Sequence, residues 1–218
     1  MNKIMKCLAA AAMGVSLLTV LSSKANSVTV QELGVGPDEV VNITSSALGT
    51  GTFNVLAGIN QLVVNGVATE GFCIDPFHWS LTGPQSYTTE ALSLGPKNPG
   101  GPMGTGKATE IEQLWAEYFS PSMSPQNAAG LQVAIWEVVG STTPADPNYF
   151  KVNGSDYGAS LMLTWVNNNP GAPTANLLAV TGPGQDYVIP VPDGGTTLML
   201  LGEALCGLFI IRRKLCLS

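Results

Sequence analysis

The segment Gly71–Trp79 reads Gly-Phe-Cys-Ile-Asp-Pro-Phe-His-Trp. It holds Cys73 and the one histidine of the chain, His78. The other three cysteines, Cys7, Cys206 and Cys216, sit near the two ends. Exported domains usually pair their cysteines, so a lone one is buried and inert, bonded to another chain, or used for chemistry. Free cysteine is also among the most buried residue types, which makes a small apolar core residue the plain reading of Cys73. A Cys73–His78 hydrolase pair is disfavoured. Both residues lie in one short segment broken by Pro76, whereas a cysteine nucleophile normally meets a histidine from elsewhere in the fold. Cys73, Asp75 and His78 supply three metal-ligating types, but a closed site wants four, so no metal site and no cofactor is expected.

The charge pattern narrows the setting. Between residues 26 and 193 only Lys97, Lys107 and Lys151 stand against fourteen acids. Nucleic-acid binding needs clustered Lys and Arg to displace counterions, and no such cluster exists in this region. The 25 glycines and 15 prolines, with only 11% charged residues, point to short strands and many turns.

The two ends carry an address. Lys3 and Lys6, the apolar run Cys7–Leu21 and the small-x-small site Ser23-Lys24-Ala25 form the three parts of a secretory signal peptide over residues 1–25. At the other end Val191-Pro192-Asp193-Gly194-Gly195 leads into the apolar run 196–211, followed by the basic tail 212–218 with Arg212, Arg213 and Lys214. Sixteen helical residues reach roughly 24 Å, short of a bilayer core of about 30 Å unless the basic flank snorkels. The positive cluster keeps the tail cytoplasmic and the domain outside. Glu203 interrupts the apolar run and is expected to be protonated or paired.

Motif, hydrophobic helix and basic stop in this order resemble the VPDSG-CTERM sorting signal, a relative of the PEP-CTERM signals, with Gly194 in place of its serine. The resemblance implies a bacterium in which an exosortase cuts near Val191–Gly195 and passes the protein to the cell surface, after a stage anchored in the membrane. A plain C-terminal anchor is the alternative.

The elements that position Cys73 follow from local pattern. Residues 28–33 and 39–44 read as strands separated by a turn over Gly34–Asp38. Gly49–Val55 and Gln61–Val64 read as a hairpin around Ala57–Asn60. Asn65-Gly66 is a strong hairpin signal, which places Cys73 near the end of the returning strand Val67–Ile74. Residues 80–106 read as a long loop. Ile111, Leu114, Trp115, Tyr118 and Phe119 recur at helical spacing up to Pro121. Ser124-Pro125 opens a second helix that runs to Gly140, with Gln132 and Trp136 four apart on one side. Ser155 opens a third helix through Leu161 and Trp165, stopped by Pro170. Asn176–Thr181 and Tyr187–Val191 return to strand composition. The fold class is therefore α+β: an antiparallel β-sandwich or barrel with an inserted three-helix subdomain over residues 26–190.

Three fragments of this domain, Phe72-Cys73-Ile74-Asp75, Leu131-Gln132-Val133-Ala134-Ile135-Trp136 and Gly184-Gln185-Asp186-Tyr187-Val188, resemble the three short motifs of bacterial thioester domains of surface adhesins. Leu131 stands where that family has Thr, and Gly184 where it has an apolar residue. The resemblance implies that Cys73 supplies a sulfur and Gln185 a carboxamide. Gln132 and Trp136 are then the supporting helix residues, with the Gln132 amide orienting the carbonyl or stabilising the oxyanion. Phe72, Phe77, Trp79 and Trp136 are expected to wall off the bond. Such a domain acylates an amine or hydroxyl on a partner surface or an extracellular polysaccharide once, without turnover, and is not an enzyme. A passive cell-envelope or extracellular-matrix structural protein is the other reading.

Overall fold

Asn65 and Gly66 adopt φ of 50° and 83°. These left-handed conformations are what a two-residue hairpin turn requires. They join β2 (Phe53–Val64) to β3 (Val67–Cys73) in an antiparallel register that runs from Val64↔Val67 to Asn60↔Gly71. The computed structural model describes residues 26–97 and 100–192. Its other elements are β1 (Asn26–Ser45), β4 (Gln85–Ala91), α1 (Gly104–Tyr118), α2 (Pro125–Val139), β5 (Phe150–Val152), α3 (Ala159–Asn168), β6 (Leu177–Thr181) and β7 (Tyr187–Pro190). Signal peptide, residues Asp193–Gly195, the apolar run 196–211 and the basic tail lie outside the described residues. Among the described residues no helix is long and apolar enough to cross a membrane.

The architecture is α+β, a mostly antiparallel sheet with three helices. β1 uses both of its edges. One edge pairs with β2 from Val30↔Val64 to Ile43↔Phe53, and the start of the other pairs with β4 from Asn26↔Thr89 to Val30↔Gln85. The pairings therefore run round a ring, β1-β2-β3-β7-β6-β4 and back to β1, with β5 added on the far end of β1.

Four local expectations are corrected. The two strands expected at 28–33 and 39–44 are one strand: the ladder with β2 slips between Glu32 and Gly34 and again between Val35 and Asp38, so the glycine-rich stretch forms bulges instead of a turn. The hairpin expected around Ala57–Asn60 is likewise one continuous strand, because Ala57, Gly58, Ile59 and Asn60 are buried and held against β1. The long loop 80–106 contains β4, the 3₁₀ turn Leu92–Leu94 and the start of α1. The third helix begins at Ala159, not after Ser155: the Asp156 carboxylate accepts from Gly158 N (3.0 Å) and Ser160 N (3.1 Å), and Gly158 at φ 89° precedes the helix.

α2 follows the local rules closely. Ser124 Oγ accepts from Asn127 N (3.2 Å), Pro125 occupies the first turn, and Gly140 ends the helix. A serine cap of this kind contributes about 1 kcal/mol. Eleven of its fifteen residues are buried, including Leu131, Gln132, Ile135 and Trp136. The helix lies across β1 and β2 and between α1 and α3. It is thus the central helix of the domain, and it carries Gln132 to the end of β3.

Candidate functional site around Cys73

β3 ends at Cys73, which pairs with Tyr187 of β7. The ladder continues one step, with Ile74 N donating to Asp186 O (2.9 Å). This antiparallel register makes Gln185 the diagonal neighbour of Cys73, two positions along from Tyr187 on the same side of the sheet. Cys73 and Gln185 line one pocket of about 450 Å³, together with Gln132 and Trp136 of α2. The four residues singled out from sequence are therefore brought together.

Their roles in the geometry differ from the expectation at one point. The Gln132 carboxamide is fully engaged with main chain: Cys73 N donates to Oε1 (2.9 Å), and Nε2 donates to Cys73 O (2.7 Å). At Cys73 the N–H and C=O point towards β2, whose pairing with β3 stops at Gly71. The Gln132 amide stands in for the missing peptide unit and continues the ladder. It holds the main chain of Cys73. Gln132 is 1% exposed, so an ordinary solvated helix residue is also excluded.

Cys73 is 2% exposed and is the free cysteine of the described residues. Its sulfur bonds to main chain, the thiol donating to Asp75 O (3.3 Å) and Asp75 N donating to the sulfur (3.3 Å). Burial pushes the thiol well above its usual range, and the nearby Asp75 carboxylate adds to the rise. The Trp136 indole N–H lies close enough to the thiol to offset part of that rise. Its geometry nevertheless falls short of a hydrogen bond, and it remains a buried donor with no partner. Such orphans are rare, since an unpaired buried N–H forfeits roughly 1–3 kcal/mol.

The alternatives for Cys73 fare differently. His78 Nδ1 is held by Asp75 Oδ2 at 2.7 Å, with Asp75 at 1% exposure, and no hydrogen bond joins His78 to Cys73 among those recorded for the described residues. Burial also raises the pKa of Asp75 despite the opposing pull of His78. Among the described residues no group of three or more His, Cys, Asp or Glu is placed to hold a metal ion.

The aromatic wall is only half as expected. Trp136 and Trp79 line the pocket, but Phe72 and Phe77 do not. Phe72 points to the other side of the strand, edge-on to Trp115 (5.4 Å) and Phe119 (6.1 Å). Trp79 sits at the pocket mouth, edge-on to Phe53 (5.7 Å), and with Leu33, Leu56 and Leu81 forms an exposed apolar rim. Gly184 is accounted for there: a Cβ at that position would stand 2.8 Å from Leu81 Cγ, so the segment Trp79–Leu81 fills the space an apolar residue would need.

Two residues of the pocket escaped sequence reading. Glu32, at the first β1 bulge, accepts from Tyr187 O–H through Oε2 (3.2 Å). In the amide orientation that satisfies both of its neighbours, Asn60 donates to Glu32 Oε1 (3.0 Å) and accepts from Cys73 N (3.2 Å). Only the hairpin register that places Asn60 opposite Gly71 could have hinted at it.

The described part of the expected sorting motif begins directly behind β7, where Val191 N donates to Asn176 O (3.0 Å) and Pro192 is exposed. No curated protein and no solved structure matches the chain. Residues 190–215 match the family model described as the VPDSG-CTERM motif, so the protein is an exported one with a C-terminal sorting signal of the kind that exosortase-type machinery processes for the cell surface.

Proposed function

We propose that the domain is a covalent adhesin module whose Cys73 and Gln185 close an internal thioester. The Cys73 sulfur attacks Gln185 Cδ. The S–C bond forms, the C–N bond breaks, the thiol proton goes to the nitrogen, and ammonia leaves. The observation that carries the reading is the register of β3 on β7, which brings the two side chains into one pocket beneath a buried indole N–H that lacks an acceptor. A tetrahedral oxyanion and then a thioester carbonyl would supply that acceptor. Gln132 fixes the main chain of the sulfur donor, and the sulfur itself is buried while Gln185 is half-buried. The bond then acylates an amine or hydroxyl of a partner protein or polysaccharide once. The module turns nothing over and is not an enzyme.

The intact mass of the exported domain tests this. A deficit of one ammonia is expected, absent in Cys73→Ala and replaced by a methylamine adduct after treatment with that amine. Full sequence mass with a thiol that alkylates on unfolding would overturn it. That outcome would favour a passive envelope or matrix protein, a reading supported by the buried, protonated thiol held against the Asp75 main chain.

A further inference from the structure

Thioester closure carries one proton from sulfur to the departing nitrogen, and a group that accepts it and then donates it would serve both transfers. Of the residues lining the pocket, Glu32 and Cys73 alone carry an ionisable side chain. The Glu32 carboxylate is aimed by both of its oxygens. Tyr187, the cross-strand partner of Cys73, donates to one, and Asn60, which also contacts Cys73 N, donates to the other. Two strands, β2 and β7, thus converge on a single carboxylate that shares its pocket with the Cys73 sulfur. A structural ion pair does not explain it, because no lysine or arginine is among the lining residues.

We propose that Glu32 is the proton-transfer residue of thioester closure, an inference that rests on the Cys73–Gln185 reading. Glu32 takes the thiol proton as sulfur attacks Gln185 Cδ. The tetrahedral oxyanion collapses with cleavage of the C–N bond, and the protonated Glu32 returns its proton to the nitrogen, which leaves as ammonia. The carboxylate ends as it began. The groups that face it are the Tyr187 phenol from β7, the Cys73 thiol from β3, the Tyr87 phenol from β4 and the neutral Asn60 amide from β2. Both phenols are held above their usual range, chiefly by burial, and remain neutral donors over the range of the test.

The test uses the exported domain opened with ammonia, which restores Gln185 and the thiol. After removal of ammonia, reclosure is followed by mass. Glu32→Gln is expected to slow reclosure about a hundredfold, with a lower melting temperature from the lost acceptor and loss of the acid limb of the pH–rate profile. Glu32→Asp is expected to recover part of the rate and the limb. Reclosure of Glu32→Gln at the wild-type rate, or slow reclosure with the acid limb retained, overturns the assignment and leaves the thioester reading intact. If Glu32→Gln does not fold, Glu32→Asp decides: slower reclosure with a displaced acid limb supports the assignment, and the wild-type rate with an undisplaced limb overturns it. A wild-type domain with no ammonia deficit removes both.

Discussion

Gln132 pairs with both main-chain groups of Cys73 at 2.9 and 2.7 Å, and a side chain from the central helix thereby completes the β3 ladder where β2 departs. The position of the sulfur depends on this contact more than on anything else in the helix. Removing it leaves a buried N–H and a buried C=O to find other partners, with Asn60 able to serve the N–H alone.

Gln132→Ala is therefore expected to destabilise the domain by about 2–4 kcal/mol. Gln132→Glu, which sets a buried carboxylate oxygen against the Cys73 carbonyl, should cost at least as much at neutral pH. Urea unfolding of the two variants checks this. A loss below about 0.5 kcal/mol for Gln132→Ala would mean that the main chain of Cys73 is held by something else.

How much of this was legible depends on range. α2 could be read almost to the residue, because Ser124, Pro125 and Gly140 act on their immediate neighbours. β4 was hidden. Gln-Ser-Tyr-Thr-Thr-Glu-Ala buries only Tyr87 and is a strand because β1 and β6 flank it. The joined strands β1 and β2 were misread for a related reason: glycines that signal turns locally are taken up here as bulges and close packing in a long pairing. Cys73, Gln132, Trp136 and Gln185 were found as motif residues. Glu32 and Asn60 carry no local mark, since they reach the site only through the registers of β1 on β2 and of β2 on β3.

The indole of Trp136 separates packing from chemistry. Trp136→Phe keeps a ring against Phe150, now 5.8 Å away, and deletes the second indole ring together with its unpartnered N–H. Stability is expected to fall by about 1–3 kcal/mol from the space left behind. Thioester closure, read as the rate of ammonia loss, should slow about a hundredfold. Unchanged closure would show that the N–H has no reacting oxygen to serve.

Asp186 makes stability depend on pH. Burial pushes its carboxyl up to about 6, even though Lys97 N (2.6 Å) and Gly182 N (2.8 Å) both donate to it. In the unfolded chain the same group titrates near 4. Between these values the folded state binds more protons, so the domain gains stability as pH falls from about 7 to about 4, by up to about 3 kcal/mol from this group. Asp75, raised in the same direction, adds to the slope. Melting temperatures at pH 7.5 and 4.5 should show the rise, and Asp186→Asn should flatten it. A wild-type domain that loses stability over this interval would contradict the account of the site's buried acids.

His78 distinguishes the reading from hydrolase chemistry. Its ring is committed to Asp75, so His78→Ala should leave the ammonia deficit and the methylamine reaction as they are in the wild type. Loss of methylamine reactivity in this variant would assign His78 a part in the chemistry.

The central claim concerns one covalent bond, and peptide mapping reads it directly. Digestion of the unreduced domain at mildly acidic pH is expected to yield a single species in which the fragment containing Cys73 is joined to the fragment containing Gln185, lighter than their sum by one ammonia. Two separate fragments, with Cys73 alkylated and the Gln185 carboxamide intact, would contradict it.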